Sequence, residues 1–295
     1  MTQADVARHL GVPGVKAHRL ITKANRMGVV KVAIDGDVAE CVGLERKIMD
    51  RFGLTYCQVV PDLHETGLPL IALGHAGATF LQREIEASKG DVIGIGHGRT
   101  LATAVENLPR MDADAVKFVS LLGGLTRNYA ANPHDVMHRL AAKTNAEAFV
   151  MPVPFFANTA GDREVLLAQR GVRDVLEIAA SSSLMIVGIG AAEYEAQLVS
   201  SGMVERQEID EVRRLGGVGE VLGYFFNDEG DFVETPLTAR TLSLDLDQLE
   251  NKRIVAIAGG KEKTCAIRSA LMSRRLSGLI TDECTAHALV EEDSL

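Results

Sequence analysis

The stretch VIGIGHGRTLATAVEN, residues 92–107, decides the fold. Val92–Ile95 is a short apolar run, which suits a buried strand better than a helix. Gly96-His97-Gly98 interrupts it, and Leu101–Asn107 then follows a helical pattern. The same order of strand, glycine turn and helix recurs outward in both directions. Strand candidates are Tyr56–Val60, Val116–Leu122, Phe149–Val153, Leu184–Ile189, Val221–Phe226, Ile254–Ala258 and Leu279–Thr281. Helical patterns cover Leu70–Lys89, His134–Asn145, Glu164–Gln169, Glu262–Ser273 and Ala286–Val290. Such alternation predicts an α/β fold with parallel strands and helices on both faces.

Several of these strands end in glycines: Gly94-Ile-Gly96-His-Gly98, Gly123-Gly124, Gly188-Ile-Gly190 and Gly259-Gly260. In an open parallel sheet, ligands sit outside the carboxyl ends of strands. Helix N-termini there offer N–H groups and a positive dipole end to an anion. Taken singly, each glycine pair is a strand-to-helix turn; four together predict a pocket for a small, phosphate-bearing ligand. Known fingerprints do not match. Gly94-x-Gly96-x-Gly98 lacks the spacing of a dinucleotide loop, and Gly260-Lys261 has no glycine five positions before Gly260. In the GHGRT loop, Arg99 and Thr100 suit an oxyanion. Lys261 and Lys263 open a helix, which is unfavourable for its dipole unless an anion is bound. His97 is a candidate ligand contact, and Glu220 and Asp282 are candidate acceptors for sugar hydroxyls.

The amino-terminal end has a different texture. Residues 3–10 read as a short helix, Gly11-Val12-Pro13-Gly14 as a turn, and Val15–Met27 as a second helix with Ala17, Leu20, Ile21, Ala24 and Met27 on one stripe. VVKVAI-Asp35-Gly36-DVAE reads as a hairpin around an Asp-Gly turn. This is the order of a winged helix-turn-helix, whose second helix enters the DNA major groove. Val15, Lys16, His18 and Arg19 are then the candidate base contacts, and Lys23 and Arg26 the candidate phosphate contacts. Residues 1–34 carry +5, whereas the remainder carries −14. A basic head on an acidic body suits a protein that meets a polyanion through the head alone. The boundary falls between Gly36 and Glu45, giving domains 1–44 and 45–295.

With 46% hydrophobic and 24% charged residues, the 295-residue chain has globular composition and material for about two domains. No apolar run reaches the roughly 18 residues of a membrane span, and the start, MTQADVARHL, is not a secretion signal. Cys41, Cys57, Cys265 and Cys284 form no metal-binding spacing, so no metal or cofactor is expected; the thiols are read as reduced and the protein as cytoplasmic. An alternative is a sugar-phosphate isomerase or deaminase. Its only candidate acids and bases are His97, Glu193, Glu195 and Glu220, none within a catalytic motif.

TQADVARHLGV, HRLI and GVVKV, followed by GIGHGRTL, LLGG, PVP, IVGIG, GGVGEVLGYFFNDEG, IAGGKEK and GLITDE, resemble in that order the SorC family of bacterial sugar-responsive transcriptional regulators. The resemblance runs over nearly the whole chain. Within the family, KAHRLITKAN is most similar to erythritol-catabolism regulators. The resemblance implies an N-terminal winged helix-turn-helix, and an effector domain like the sugar-phosphate isomerases and deaminases. It also implies homo-oligomers, dimeric or tetrameric, that bind operator DNA and a phosphorylated sugar or polyol, here read as a repressor. It places Gly96, His97, Gly98, Arg99, Thr100, Gly123, Gly124, Glu220, Gly260 and Lys263 around the effector; Gly259 and Asp282 join the candidates from the strand ends alone. The chain departs from the family twice. Members usually carry one more helix ahead of the TQ-x-x-V-A segment, where this chain starts. Pro13-Gly14 stands where the family often has Ser-Arg, which is expected to alter base readout.

Overall fold

The computed structural model describes residues 7–8, 11–26, 38–88, 90–125 and 136–291. The chain divides into two units, Met1–Asp35 and Gly36–Leu295.

In the smaller unit, helix α1 spans Gly14–Arg26. Ahead of it, the N–H of Gly11 bonds to the carbonyl of Arg8 at 3.2 Å and that of Val12 to Ala7 at 3.0 Å. With Gly11 at φ 61°, this is the glycine closure that ends a helix. The carbonyl of Pro13 then accepts from Lys16 and Ala17, so α1 starts within a few residues of the turn. Ala17 is buried, whereas Leu20, expected on the same stripe, is 44% exposed.

The larger unit comprises α2 (Val38–Phe52), β1 (Tyr56–Val60), α3 (Leu70–Ala87), β2 (Val92–Ile95), α4 (Arg99–Asn107), β3 (Lys117–Ser120), α5 (Met137–Thr144), β4 (Glu147–Phe149), α6 (Ala160–Leu167), α7 (Arg170–Ala180), β5 (Leu184–Val187), β6 (Gly190–Ala191), α8 (Gln197–Ser200), α9 (Arg206–Arg214), β7 (Gly219–Val221), β8 (Tyr224–Phe226), β9 (Phe232–Val233), β10 (Ile254–Ile257), α10 (Thr264–Met272), β11 (Gly278–Asp282) and α11 (Glu283–Glu291). Seven strands form one sheet in the order β1-β11-β10-β5-β2-β3-β4, every pair parallel. The inner strands β5, β10 and β11 are buried throughout, while edge strand β4 is not. Continuous apolar runs such as Ile254–Ile257 are what two covered faces require. One face packs on α3, α4 and α5 through Leu73, Phe80, Leu101 and Leu140. The other packs on α2, α10 and α11 through Ile48, Phe52, Ile267 and Leu289.

β2 leads on to β3 on one side, whereas the chain leaving β5 returns as β10 on the other. The order therefore reverses between β2 and β5, and the crevice beyond their carboxyl ends is the switch point where such sheets bind ligands.

Three expectations are corrected. Val221–Phe226 is not a strand of the parallel sheet. Leu222 and Gly223 have φ of 53° and 84°, which makes a tight hairpin turn between β7 and β8. These strands belong to a separate antiparallel sheet, β6-β7-β8-β9. Val38-Ala39-Glu40, read as the second strand of a wing, lies in α2, and the rest of the expected hairpin falls outside the described residues. The division falls at Asp35/Gly36 instead of 44/45, because Cys41 and Leu44 of α2 are buried in the core of the larger unit.

Candidate ligand-binding site

At the switch point the backbones of β2 and β5 run on in contact: the N–H of Gly96 bonds to the Ile186 carbonyl at 2.8 Å. A side chain at Gly188 would lie 3.1 Å from the His97 carbonyl, closer than nearly all real contacts. Beyond this neck lies a cavity of about 240 Å³, lined by the GHGRT loop, Gly188–Ala191, Glu193, the 195–198 segment, Glu220, Leu222 and Lys263. Leu122, Gly67, Leu68 and Glu262 complete it.

Helix α4 points its N-terminus into this space. Gly98 occupies the N-cap at φ 138°, a backbone that favours glycine, and has no side chain of its own to cap the helix. Arg99 is half-buried in the lining. The Thr100 hydroxyl, expected to meet an oxyanion, donates to the Ile257 carbonyl at 2.9 Å and anchors α4 to β10. What Thr100 offers the cavity is its backbone at the helix start. The His97 ring sits edge-on to Phe155, with centroids 4.9 Å apart.

β6 extends β5 and pairs with β7 so that Gly190 faces Glu220. This brings Glu220 over the end of the parallel sheet, where its Oε1 accepts the N–H of Gly223 in the hairpin turn. Burial pushes its carboxyl up to about 7, against the lowering effects of that bond and of Lys263. Lys263 ends the single 3-10 turn Lys261–Lys263, and its Nζ donates to the Ile189 carbonyl at 3.0 Å. Burial and then Arg99 bring its ammonium down to about 8, with Glu220 opposing. Lys261 is exposed and takes no part in the lining.

The folded state holds the Glu220 proton up to about pH 7, whereas an ordinary glutamate releases it at 4.5. Folded protein therefore binds more protons in that window, and stability falls as pH rises through it. Glu220→Gln keeps the acceptor for Gly223 and removes this slope. In urea melts it should exceed the parent by roughly 1–3 kcal/mol at pH 8 and match it at pH 4.

Besides Lys261, five sequence candidates fall outside the cavity lining: Gly123, Gly124, Gly259, Gly260 and Asp282. Gly123 bonds to the Leu242 carbonyl and Gly124 to that of Met151, in a crossing of two chain segments. The N–H of Gly260 is taken by Asp282 Oδ2 at 3.0 Å and Thr285 Oγ1 at 2.8 Å. Asp282 also accepts from the Thr285 N–H and hydroxyl. It ties the Gly259-Gly260 turn to the start of α11, so its oxygens serve the fold and not a sugar. Conversely, sequence reading missed Gln197, which no motif marks, and the loop around Leu68.

In the smaller unit Val15, Lys16, His18, Arg19 and Lys23 are exposed on α1, which Arg26 ends. No helix of the described residues is long and apolar enough to cross a membrane.

A doubly covered parallel sheet with a charged cavity at its switch point defines an α/β protein of the kind whose ligands sit at that point. Residues 36–291 match the family described as "Putative sugar-binding domain". The erythritol catabolism regulatory protein EryD of Brucella abortus (strain 2308) is 61% identical over 98% of this chain and 92% of its own. The transcriptional regulator LsrR of Klebsiella pneumoniae subsp. pneumoniae is 31% identical over 98% of this chain and 88% of its own. The crystal structure of the full-length sorbitol operon regulator SorC from Klebsiella pneumoniae matches with a TM-score of 0.74 and 28% identity, over 99% of this chain and 94% of that one. The chain belongs to the SorC family of sugar-binding transcriptional regulators. It is a transcriptional regulator; the relatives above are named as regulators and not as isomerases or deaminases.

Proposed function

We propose that the protein represses an operon for polyol catabolism, and that a phosphorylated polyol bound in the cavity sets its affinity for operator DNA. The observation that carries this reading is the convergence of the α4 N-terminus, Arg99 and Lys263 on one cavity. Dipole, guanidinium and ammonium together suit a phosphate. The four-carbon class follows from the EryD relative, whose name refers to erythritol.

The head is proposed as a winged helix-turn-helix. The glycine closure at Gly11, the restart at Pro13 and the exposed bases of α1 support it. Lys16, His18 and Arg19 would read bases, and Lys23 and Arg26 phosphates. A homo-oligomer, dimeric or tetrameric, would set two heads on half-sites one or more helical turns apart.

Two measurements test the halves of this reading. Erythritol 4-phosphate should raise the melting temperature with concentration, as any ligand specific to the folded state must. On DNA, Arg19→Ala should bind operator and random sequence almost equally, while Lys23→Ala should weaken both and lower the salt slope by about 1. Unchanged footprints for both variants would remove α1 from the DNA interface.

A further inference from the structure

Gln197 opens α8 and lines the cavity. Its Oε1 accepts the backbone N–H of Arg99 at 3.2 Å. That bond fixes the amide's orientation, because an N–H requires the oxygen end, and so it turns Nε2 away from the helix start. Nε2 is buried and meets no acceptor among the described residues. A buried donor left unmade is costly. In a residue that lines the cavity and is held at its other end, such a donor is one that a ligand oxygen can satisfy.

The charges around it limit what that ligand is. The cations of the lining are Arg99 and Lys263, close enough that Arg99 lowers the Lys263 pKa. The acids are Glu193, Glu195, Glu220 and Glu262. One phosphate suffices for the two cations, and a second would face surplus carboxylates. Carboxylates and a neutral amide suit hydroxyls.

We propose that Gln197 is a specificity-determining residue, donating through Nε2 to an oxygen of a ligand with a single phosphate and an otherwise uncharged polyol chain. This rests on reading the cavity as the effector site.

The test is calorimetric titration of the full chain with inorganic phosphate, erythritol 4-phosphate and fructose 1,6-bisphosphate. Gln197→Leu removes the donor. Gln197→Glu keeps an oxygen for Arg99, holds the local fold and replaces the donor by a carboxylate. Both should weaken erythritol 4-phosphate at least about tenfold, with inorganic phosphate changed less than about threefold. The bisphosphate should bind the parent more weakly than the monophosphate. Parental affinity for erythritol 4-phosphate in both variants, alongside its loss in Lys263→Ala, overturns the role of Gln197 and leaves the cavity as the effector site. Tighter binding of the bisphosphate overturns the single-phosphate class. A parent protein that binds none of the probes overturns the effector reading and this inference with it.

Discussion

Lys263→Ala should cut the rise in melting temperature that erythritol 4-phosphate gives the parent to a small fraction, while leaving the unliganded protein at least as stable. The side chain is held to the Ile189 carbonyl, and burial together with Arg99 brings its ammonium down to about 8. An incoming phosphate supplies further counter-charge and holds the proton more firmly. Hydrogen bonds to charged groups contribute about 2–3 kcal/mol, or roughly 30- to 150-fold in affinity. At 100 times the parent's Kd, ligand stabilises the fold by about 2.7 kcal/mol; after a hundredfold loss the same concentration gives about 0.4 kcal/mol. Without ligand, alanine removes an ammonium that the folded state desolvates, so the fold is not weakened. Equal ligand-induced shifts in the two proteins would exclude Lys263 from the site.

The second large effect concerns folding. Gly123→Ala should destabilise the protein by about 3 kcal/mol, a fall in melting temperature of roughly 6–12 °C for a domain of this size. A Cβ at this position would lie 2.1 Å from the Pro154 carbonyl oxygen and 2.7 Å from that of Val153. Both contacts are backbone, so no rotamer change relieves them. Ligand affinity of the folded variant should stay within about threefold of the parent, since Gly123 is outside the cavity lining. A variant that melts like the parent but loses ligand would return Gly123 to the binding site.

These two residues mark how far the sequence could be read. The parallel sheet was legible because each inner strand is a short apolar run stopped by glycine, as at Val92–Ile95 and Ile254–Ile257. The position of the cavity was legible in part: the glycine ends of β2 and β5 line it where strand order reverses, whereas Gly123-Gly124 and Gly259-Gly260 do not. What individual glycines do was not. Gly98 opens a helix that faces the cavity and Gly123 lets two segments cross, yet both look alike in one dimension. Val221–Phe226 looked like a buried strand because its turn places Leu222 at positive φ, where glycine or asparagine is expected. Asp282 resembled a sugar acceptor until its oxygens were found on Gly260 and Thr285. Gln197 carried no signal at all: its role depends on a bond to Arg99 across 98 residues.

Regulation requires that a ligand in the cavity change the affinity of the protein for DNA. A ligand that binds both arrangements of a regulator equally shifts nothing. The direct measurement is fluorescence anisotropy of the full chain on DNA from upstream of its neighbouring catabolic operon, with and without erythritol 4-phosphate at a concentration that saturates the thermal shift. Saturation should weaken operator affinity by at least about tenfold, a coupling of roughly 1.4 kcal/mol, and Lys263→Ala should stay bound. Operator affinity that is identical in the empty and saturated protein would contradict that coupling.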